Sequence, residues 1–134
     1  MKTMWYLVGW LVVGFSHLLN QNPMERKIGE IEVVIFNTKP GYTQEEARAA
    51  LESLNDCVLK FEGFIERKLA INEKGQWIDI VYWQSREHAL AAAEGIMTDP
   101  NALKAFEVIE EEKMQMLHFT PVSQFKKELL TTTN

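Results

Sequence analysis

One segment of the sequence places a carboxylate between aromatic and aliphatic side chains. In the run QWIDIVYW, period-two alternation puts Asp79 on the same strand face as Trp77, Val81 and Trp83. A carboxylate in such apolar surroundings is costly unless it is paired, hydrogen-bonded or protonated. A buried carboxyl group can act as a general base near neutral pH. Alternatively, Asp79 bonds a backbone group or an arginine such as Arg67 and only fixes the register of the sheet.

A histidine is the second candidate for acid–base chemistry. His118 lies in a predicted strand and shares a face with Met114 and Met116. Histidine side chains titrate near neutral pH, so His118 could relay a proton. The alternative is a hydrogen-bonded histidine with a purely structural role. Because the histidines are few and scattered and Cys57 is the single cysteine, we expect no metal site.

Further residues are candidates for contact with a ligand. Trp77, Tyr82 and Trp83 could form flat walls for an aromatic molecule, although such residues are equally typical of a hydrophobic core. Asn37, at the end of the first predicted strand, could donate a hydrogen bond to a carbonyl or an oxyanion, or serve as a turn residue.

A predicted α+β domain positions these residues. Apolar, β-branched runs predict strands over 29–37, 64–71, 76–83 and 113–119, and amphipathic runs predict helices over 44–62, 86–97 and 100–112. The resulting order β-α-β-β-α-α-β is the ferredoxin-like arrangement, a four-stranded antiparallel sheet with helices on one face. The other face also carries apolar side chains, so we expect a second copy of the chain to cover it in a homodimer.

Capping signals mark the predicted helix starts. Thr43 and Glu46 have the spacing of a capping box. Ser85 is a suitable N-cap for the second helix, and Asp99 followed by proline is suitable for the third. Gly63 is expected to end the first helix.

Composition limits the classes of partner. The chain has 134 residues, which fits one domain, and a formal net charge of -5. A nucleic-acid partner is therefore not expected, because that function needs a clustered basic face. The domain is predicted to span residues 24–122, with a loosely held tail at 123–134.

An apolar segment precedes the domain, within residues 1–23. Its run from Met4 to Phe15 is too short to cross a bilayer comfortably. Three interpretations stay open: an export signal, an extension upstream of a true start at Met24, or a retained arm that packs on the domain or contacts a membrane through residues 4–15. The protein is expected to be exported or membrane-associated if residues 1–23 are native, and otherwise cytoplasmic.

Short motifs within residues 29–122 give a resemblance to a known family. The segments Lys39-Pro40-Gly41, Phe61-Glu62-Gly63-Phe64 and Trp83-Gln84-Ser85 are similar to turns of the antibiotic-biosynthesis-monooxygenase-like family of dimeric α/β barrels. The resemblance implies a homodimer with a small-molecule pocket between sheet and helices. The haem-degrading members have a tryptophan in the second helix and a histidine in the third, and both are missing from those helices here.

Two functions follow from this resemblance. The first is a cofactor-independent monooxygenase for a small aromatic or quinol-type molecule, with Asp79 or His118 as the base and no cofactor. Such chemistry needs a base to form a substrate anion and a cavity that excludes water. The alternative is a non-catalytic module of the same fold that binds a small apolar ligand or only assembles.

Overall fold

The computed structural model describes residues 27–128, so the predicted leader at 1–23 and residues 129–134 lie outside the described residues. The strands are β1 (Glu30–Thr38), β2 (Phe64–Ile71), β3 (Trp77–Trp83) and β4 (Ile109–Phe119). The helices are α1 (Gln44–Glu52), α2 (Leu54–Val58), α3 (Arg86–Ile96) and α4 (Pro100–Phe106). No helix within residues 27–128 is long and apolar enough to cross a bilayer. Residues 120–128 form neither helix nor strand.

The sheet confirms the predicted ferredoxin-like fold. Its strand order is β2-β3-β1-β4, and all neighbouring strands are antiparallel. In β3 every second residue, from Trp77 to Trp83, is buried, and the residues between are only partly buried. The same alternation in β1 buries Glu30, Glu32 and Phe36. One face of the sheet therefore packs under the helices.

The first predicted helix is divided in two, which the sequence pattern did not indicate. The capping box is present: the Thr43 hydroxyl accepts from the Glu46 N–H at 3.1 Å, and the Glu46 carboxylate accepts from the Thr43 N–H at 2.9 Å. The helix then breaks at Ser53, whose hydroxyl donates a hydrogen bond to the Ala50 carbonyl. A serine side chain that bonds to the backbone in this way competes with the regular hydrogen bonds of the helix.

The prediction that Gly63 ends this helix is wrong, because the last helical residue is Val58. Gly63 is needed for the turn into β2 instead. Its φ of +84° is disfavoured for other residues, and a Cβ atom there would collide with the side chain of His88.

The predicted boundary between the last helix and the last strand is also wrong. The prediction ran the helix to Glu112, but α4 ends at Phe106 and β4 begins at Ile109. The reason is long-range pairing: Thr38 pairs with Ile109, and Asn37 pairs with Glu110. The register then shifts between Asn37 and Ile35, so β4 bulges in its acidic stretch.

The second face of the sheet carries apolar side chains from all its inner strands. They include Ile31, Val33, Ile35, Ile78 and Ile80, which are only partly buried. On the edge strand β4, Leu117 and Phe119 continue this face and are 39% and 51% exposed. Within residues 27–128, none of the helices packs on this face.

Candidate functional site

A cavity of about 340 Å³ lies between the sheet and the helices. Its wall is mostly apolar and includes Phe61, Val81, Trp83, Ile96 and Phe106. The volume is within the range of small-molecule sites, which are typically apolar with few polar groups. The polar groups of this cavity lie mainly on the sheet and, at one side, near the bulge of β4. They are Glu32, Lys39, Arg67, Asp79, Glu107 and Glu111.

Asp79 lines the cavity and is held by Arg67 of the neighbouring strand. The Arg67 Nη2 lies 2.6 Å from Asp79 Oδ2, and Arg67 Nε donates to Oδ1 at 2.9 Å. The two side chains are only 5% and 12% exposed. A bidentate, charge-assisted pair of this kind is among the stronger polar interactions in proteins. The geometry is the one expected for a structural Asp79, the second of the two roles considered above.

The other nitrogen of the same guanidinium joins the sheet to the helices. Arg67 Nη1 donates to the Leu51 carbonyl at 2.7 Å and to Asn55 Oδ1 at 2.8 Å. These acceptors lie on either side of the break at Ser53. Arg67 therefore ties the sheet to both parts of the interrupted helix.

Glu32 is a functional candidate that sequence reasoning missed. It lines the cavity from β1 and is 8% exposed. Burial raises the pKa of Glu32 from 4.5 to about 7, and the nearby carboxylates of Asp79 and Glu30 add to the rise. A carboxyl group with this pKa is divided between acid and base near neutral pH. The available signal was its even spacing from Val34 and Phe36, which places Glu32 on the face of β1 that packs under the helices.

His118 lies beside Glu32 and not in the cavity wall. The two residues are directly opposite each other on β4 and β1. His118 Nε2 is 3.8 Å from Glu32 Oε2, and its side chain is 17% exposed. His118 Nδ1 is buried and has no hydrogen-bond partner among the described residues. His118 shares its strand face with Met116, since they lie opposite Glu32 and Val34 of β1, and Met114 and Met116 line the cavity.

Glu30 forms a second buried carboxyl group at the same end of the sheet. It is 1% exposed and lies opposite Trp83 in the strand register. The Thr120 hydroxyl donates to Glu30 Oε1 at 3.1 Å, and Arg86 Nε is 3.9 Å from Oε2. Glu30 Oε2 and the Trp83 indole N–H are both buried without a hydrogen-bond partner in residues 27–128. This end of the sheet thus concentrates buried polar atoms without a hydrogen-bond partner in the described part of the chain.

The structure separates the aromatic candidates. Trp83 lines the cavity and meets Phe64 edge to face, with ring centroids 5.8 Å apart. Trp77 is buried in the core cluster and does not line this cavity. Tyr82 lies on the second face of the sheet, where Lys68 Nζ is 5.5 Å from its ring. Asn37 also lies out of the cavity, at the position opposite Glu110 on β4.

The thiol and the possible metal ligands add no reactive centre to this site. Burial raises the pKa of the Cys57 thiol, which packs in the main hydrophobic core. Within residues 27–128, no three His, Cys, Asp or Glu side chains are grouped so that they could hold a metal ion.

Comparisons with known proteins agree on the fold. No family model matches the sequence, and no curated protein matches it. Among solved structures, a cofactor-independent oxygenase of Streptomyces nogalater, SnoaB, is similar, with a TM-score of 0.61 at 13% identity over 75% of this chain and 100% of that one. A monooxygenase of Streptomyces coelicolor, ActVA-Orf6, solved with the ligand nanaomycin D, has a TM-score of 0.59 at 14% identity over 78% and 96% of the two chains.

A third similar structure is a dimeric ferredoxin-like protein from an uncultured marine organism, with a TM-score of 0.56 at 15% identity over 77% of this chain and 96% of that one. Identities in this range establish architecture and leave the reaction to be argued from the site. The chain therefore has the ferredoxin-like fold of these oxygenases and of the marine protein, which is the fold that the resemblance of its short turn motifs implied.

Proposed function

We propose that this protein is a cofactor-independent monooxygenase that oxidises a small aromatic or quinol-type molecule in the cavity between sheet and helices. The observation that carries the proposal is the cavity wall. It is apolar around Phe61, Trp83 and Phe106, yet it holds Glu32, a carboxyl group whose pKa is raised to about 7. An apolar wall suits a flat aromatic ring, and such a carboxyl group suits removal of a hydroxyl proton.

The proposed reaction consumes dioxygen as the second substrate. Loss of the hydroxyl proton gives a substrate anion, which is oxidised more readily than the neutral phenol. One oxygen atom of dioxygen forms a new carbon–oxygen bond, and the other leaves as water with two hydrogens from the substrate. The substrate supplies all four electrons and becomes a quinone. Exclusion of water by the apolar wall would keep the anion and the reduced oxygen together.

One observation favours the non-catalytic alternative. Asp79, one of the two candidate bases from the sequence, is engaged by Arg67 through two nitrogens. A carboxylate so engaged contributes shape and charge to a binding site more readily than it accepts a proton. A ligand-binding module would bind phenols in the same cavity and would leave dioxygen unconsumed.

Oxygen uptake with a panel of quinols, naphthols and anthrones separates these functions. The matched variants are Ala93→Phe, which fills the cavity, and Ala91→Phe, which adds the same ring on the exposed side of α3. We expect wild type and Ala91→Phe to consume one dioxygen per quinone formed, and Ala93→Phe to lose at least tenfold in rate. Uptake that is absent, or equal in all three proteins, contradicts the oxygenase. Binding that Ala93→Phe abolishes, without uptake, supports the module.

We also propose that the working form is a homodimer closed through the second face of the sheet. This is supported by the exposed apolar side chains of Leu117 and Phe119, which continue the partly buried isoleucines of β1 and β3. A contiguous apolar surface of this kind is typical of a protein–protein interface. The similar marine protein is itself described as dimeric.

A further inference from the structure

We infer that Glu32, rather than Asp79 or His118, receives the hydroxyl group of an aromatic substrate and accepts its proton. The inference deepens the proposed function and rests on it for its catalytic meaning. It concerns the three acid–base groups that meet near one end of the cavity, and it depends first on which of them a ligand can reach.

Only two of these groups line the cavity. Glu32 and Asp79 do, whereas His118 lies beside Glu32 with its Nε2 3.8 Å from Glu32 Oε2. Asp79 is taken up by Arg67, which donates to both of its oxygens. Glu32 has no donor comparable to Arg67. Its one ion-pair partner within residues 27–128 is His118, which is farther away than Arg67 is from Asp79. Of the carboxylates in this part of the wall, Glu32 is the one left to accept a hydrogen bond from a ligand.

The groups around Glu32 favour its role as a proton acceptor near neutral pH. Burial, together with the like charges of Asp79 and Glu30, raises the pKa of Glu32 to about 7. His118 faces it from β4, and Arg67 on β2 is committed to Asp79. The remaining charged groups of the surroundings are Arg86 beside Glu30, and Lys39, Glu107 and Glu111 elsewhere in the cavity wall. The proton transfer itself is balanced, because the substrate O–H bond breaks as an O–H bond forms on Glu32.

Binding of phenol itself, measured under nitrogen by calorimetry on the full chain, tests the inference without any oxidation. Phenol stays neutral between pH 5.5 and 8.5, so a change in its affinity reports groups of the protein. We expect phenol to bind about tenfold more tightly at the upper end of this range, since a hydrogen bond to an ionised carboxylate is stronger than one to a neutral group. Glu32→Gln should bind with an affinity that does not change with pH.

Two further variants identify the titrating group. Glu30→Gln removes a like charge, so the midpoint of the affinity change should move to lower pH. His118→Gln should keep the pH dependence, because His118 does not line the cavity. The inference is overturned if phenol does not bind, if Glu32→Gln keeps the wild-type profile, or if His118→Gln alone abolishes it. Oxygen uptake is read separately, so an inactive protein with the expected binding profile rejects the oxygenase and retains the role of Glu32 in binding.

Discussion

The guanidinium of Arg67 joins a buried carboxylate of the sheet to the two halves of an interrupted helix. Breaking a buried ion pair leaves an uncompensated charge, which typically costs about 3 kcal/mol or more. We therefore expect Arg67→Met to lower the free energy of unfolding by about 3 kcal/mol, measured by urea denaturation. Arg48→Met is the control, since Arg48 pairs with Glu52 on the exposed side of α1 and should change stability little.

A double variant tells charge burial apart from lost packing. Arg67→Met combined with Asp79→Leu removes both charges, and an apolar pair of similar volume is often as stable as the ion pair it replaces. The double variant should recover most of the lost stability. A double variant that is less stable than Arg67→Met would show that the contacts of Arg67 to the helix break matter more than its pairing with Asp79.

Glu32 predicts a pH dependence of stability with a definite sign. Its pKa is about 7 in the folded protein and 4.5 in the unfolded chain, so the folded state holds the extra proton between these values. Stability is therefore lost as pH rises through this window, by about 3 kcal/mol in total. Glu32→Gln should remove this loss and be more stable than wild type at pH 8. Glu73→Gln, in the exposed turn between β2 and β3, is the control and should follow wild type in urea denaturation at each pH.

At the residue scale the sequence predicted the partner of Asp79 but not the burial and raised pKa of Glu32. Period two in β3 was unambiguous, because Asp79 stands between residues that are clearly apolar. Glu30 and Glu32 stand at the start of β1, where charged residues are ordinarily solvated, and only the register with β3 and β4 shows that both are covered. Tyr82 and Asn37 could be placed on a strand from sequence, whereas the cavity that excludes them is a tertiary feature.

At the scale of helices and strands, local signals were reliable where local chemistry decides the structure. Thr43, Ser85 and Asp99 each cap a helix with the side chain, as predicted. The end of α4 was not predictable in this way. The residues after Phe106 continue a helical pattern, but backbone pairing of Ile109 with Thr38 takes precedence, and long-range pairing is not encoded in local propensity.

Helix α3 shapes the cavity through a glycine. A Cβ atom on Gly95 would lie 2.5 Å from Cε1 of Phe61, which lines the cavity. In Gly95→Ala the ring must move, and the neighbouring open space is the cavity itself. We expect stability within about 1 kcal/mol of wild type, since alanine also favours the helix, but phenol affinity reduced severalfold in calorimetry. Glu94→Ala, which is exposed on the same helix, should bind like wild type.

A second variant tests whether Phe61 is the cause. Adding Phe61→Leu to Gly95→Ala shortens the displaced side chain and should restore phenol affinity. If affinity stays low, the effect of Gly95→Ala comes from the helix backbone and not from the ring.

At the scale of the whole molecule, the layer arrangement was predictable because it follows from counting apolar faces. Strands that are apolar on both sides need cover on both sides, and the helices within residues 27–128 supply it on one. The depth and polarity of the cavity were not predictable, because they depend on how the short helices α2 and α4 sit over the sheet. Sequence and structure therefore agree that the second face of the sheet is apolar and is not covered by these helices.

The uncovered second face gives a prediction about assembly. Leu117, 39% exposed, lies opposite Val33 on the second face of the sheet, and Leu90, 48% exposed, lies on the outer side of α3. A charge buried at a twofold interface destabilises the dimer, and the symmetry places one such charge on each subunit. In sedimentation velocity at micromolar concentration, we expect wild type and Leu90→Glu to be dimers and Leu117→Glu to be a monomer. A monomeric wild type would leave the second face open to water and remove the support for the dimer, whereas a dimeric Leu117→Glu would place the interface on another surface.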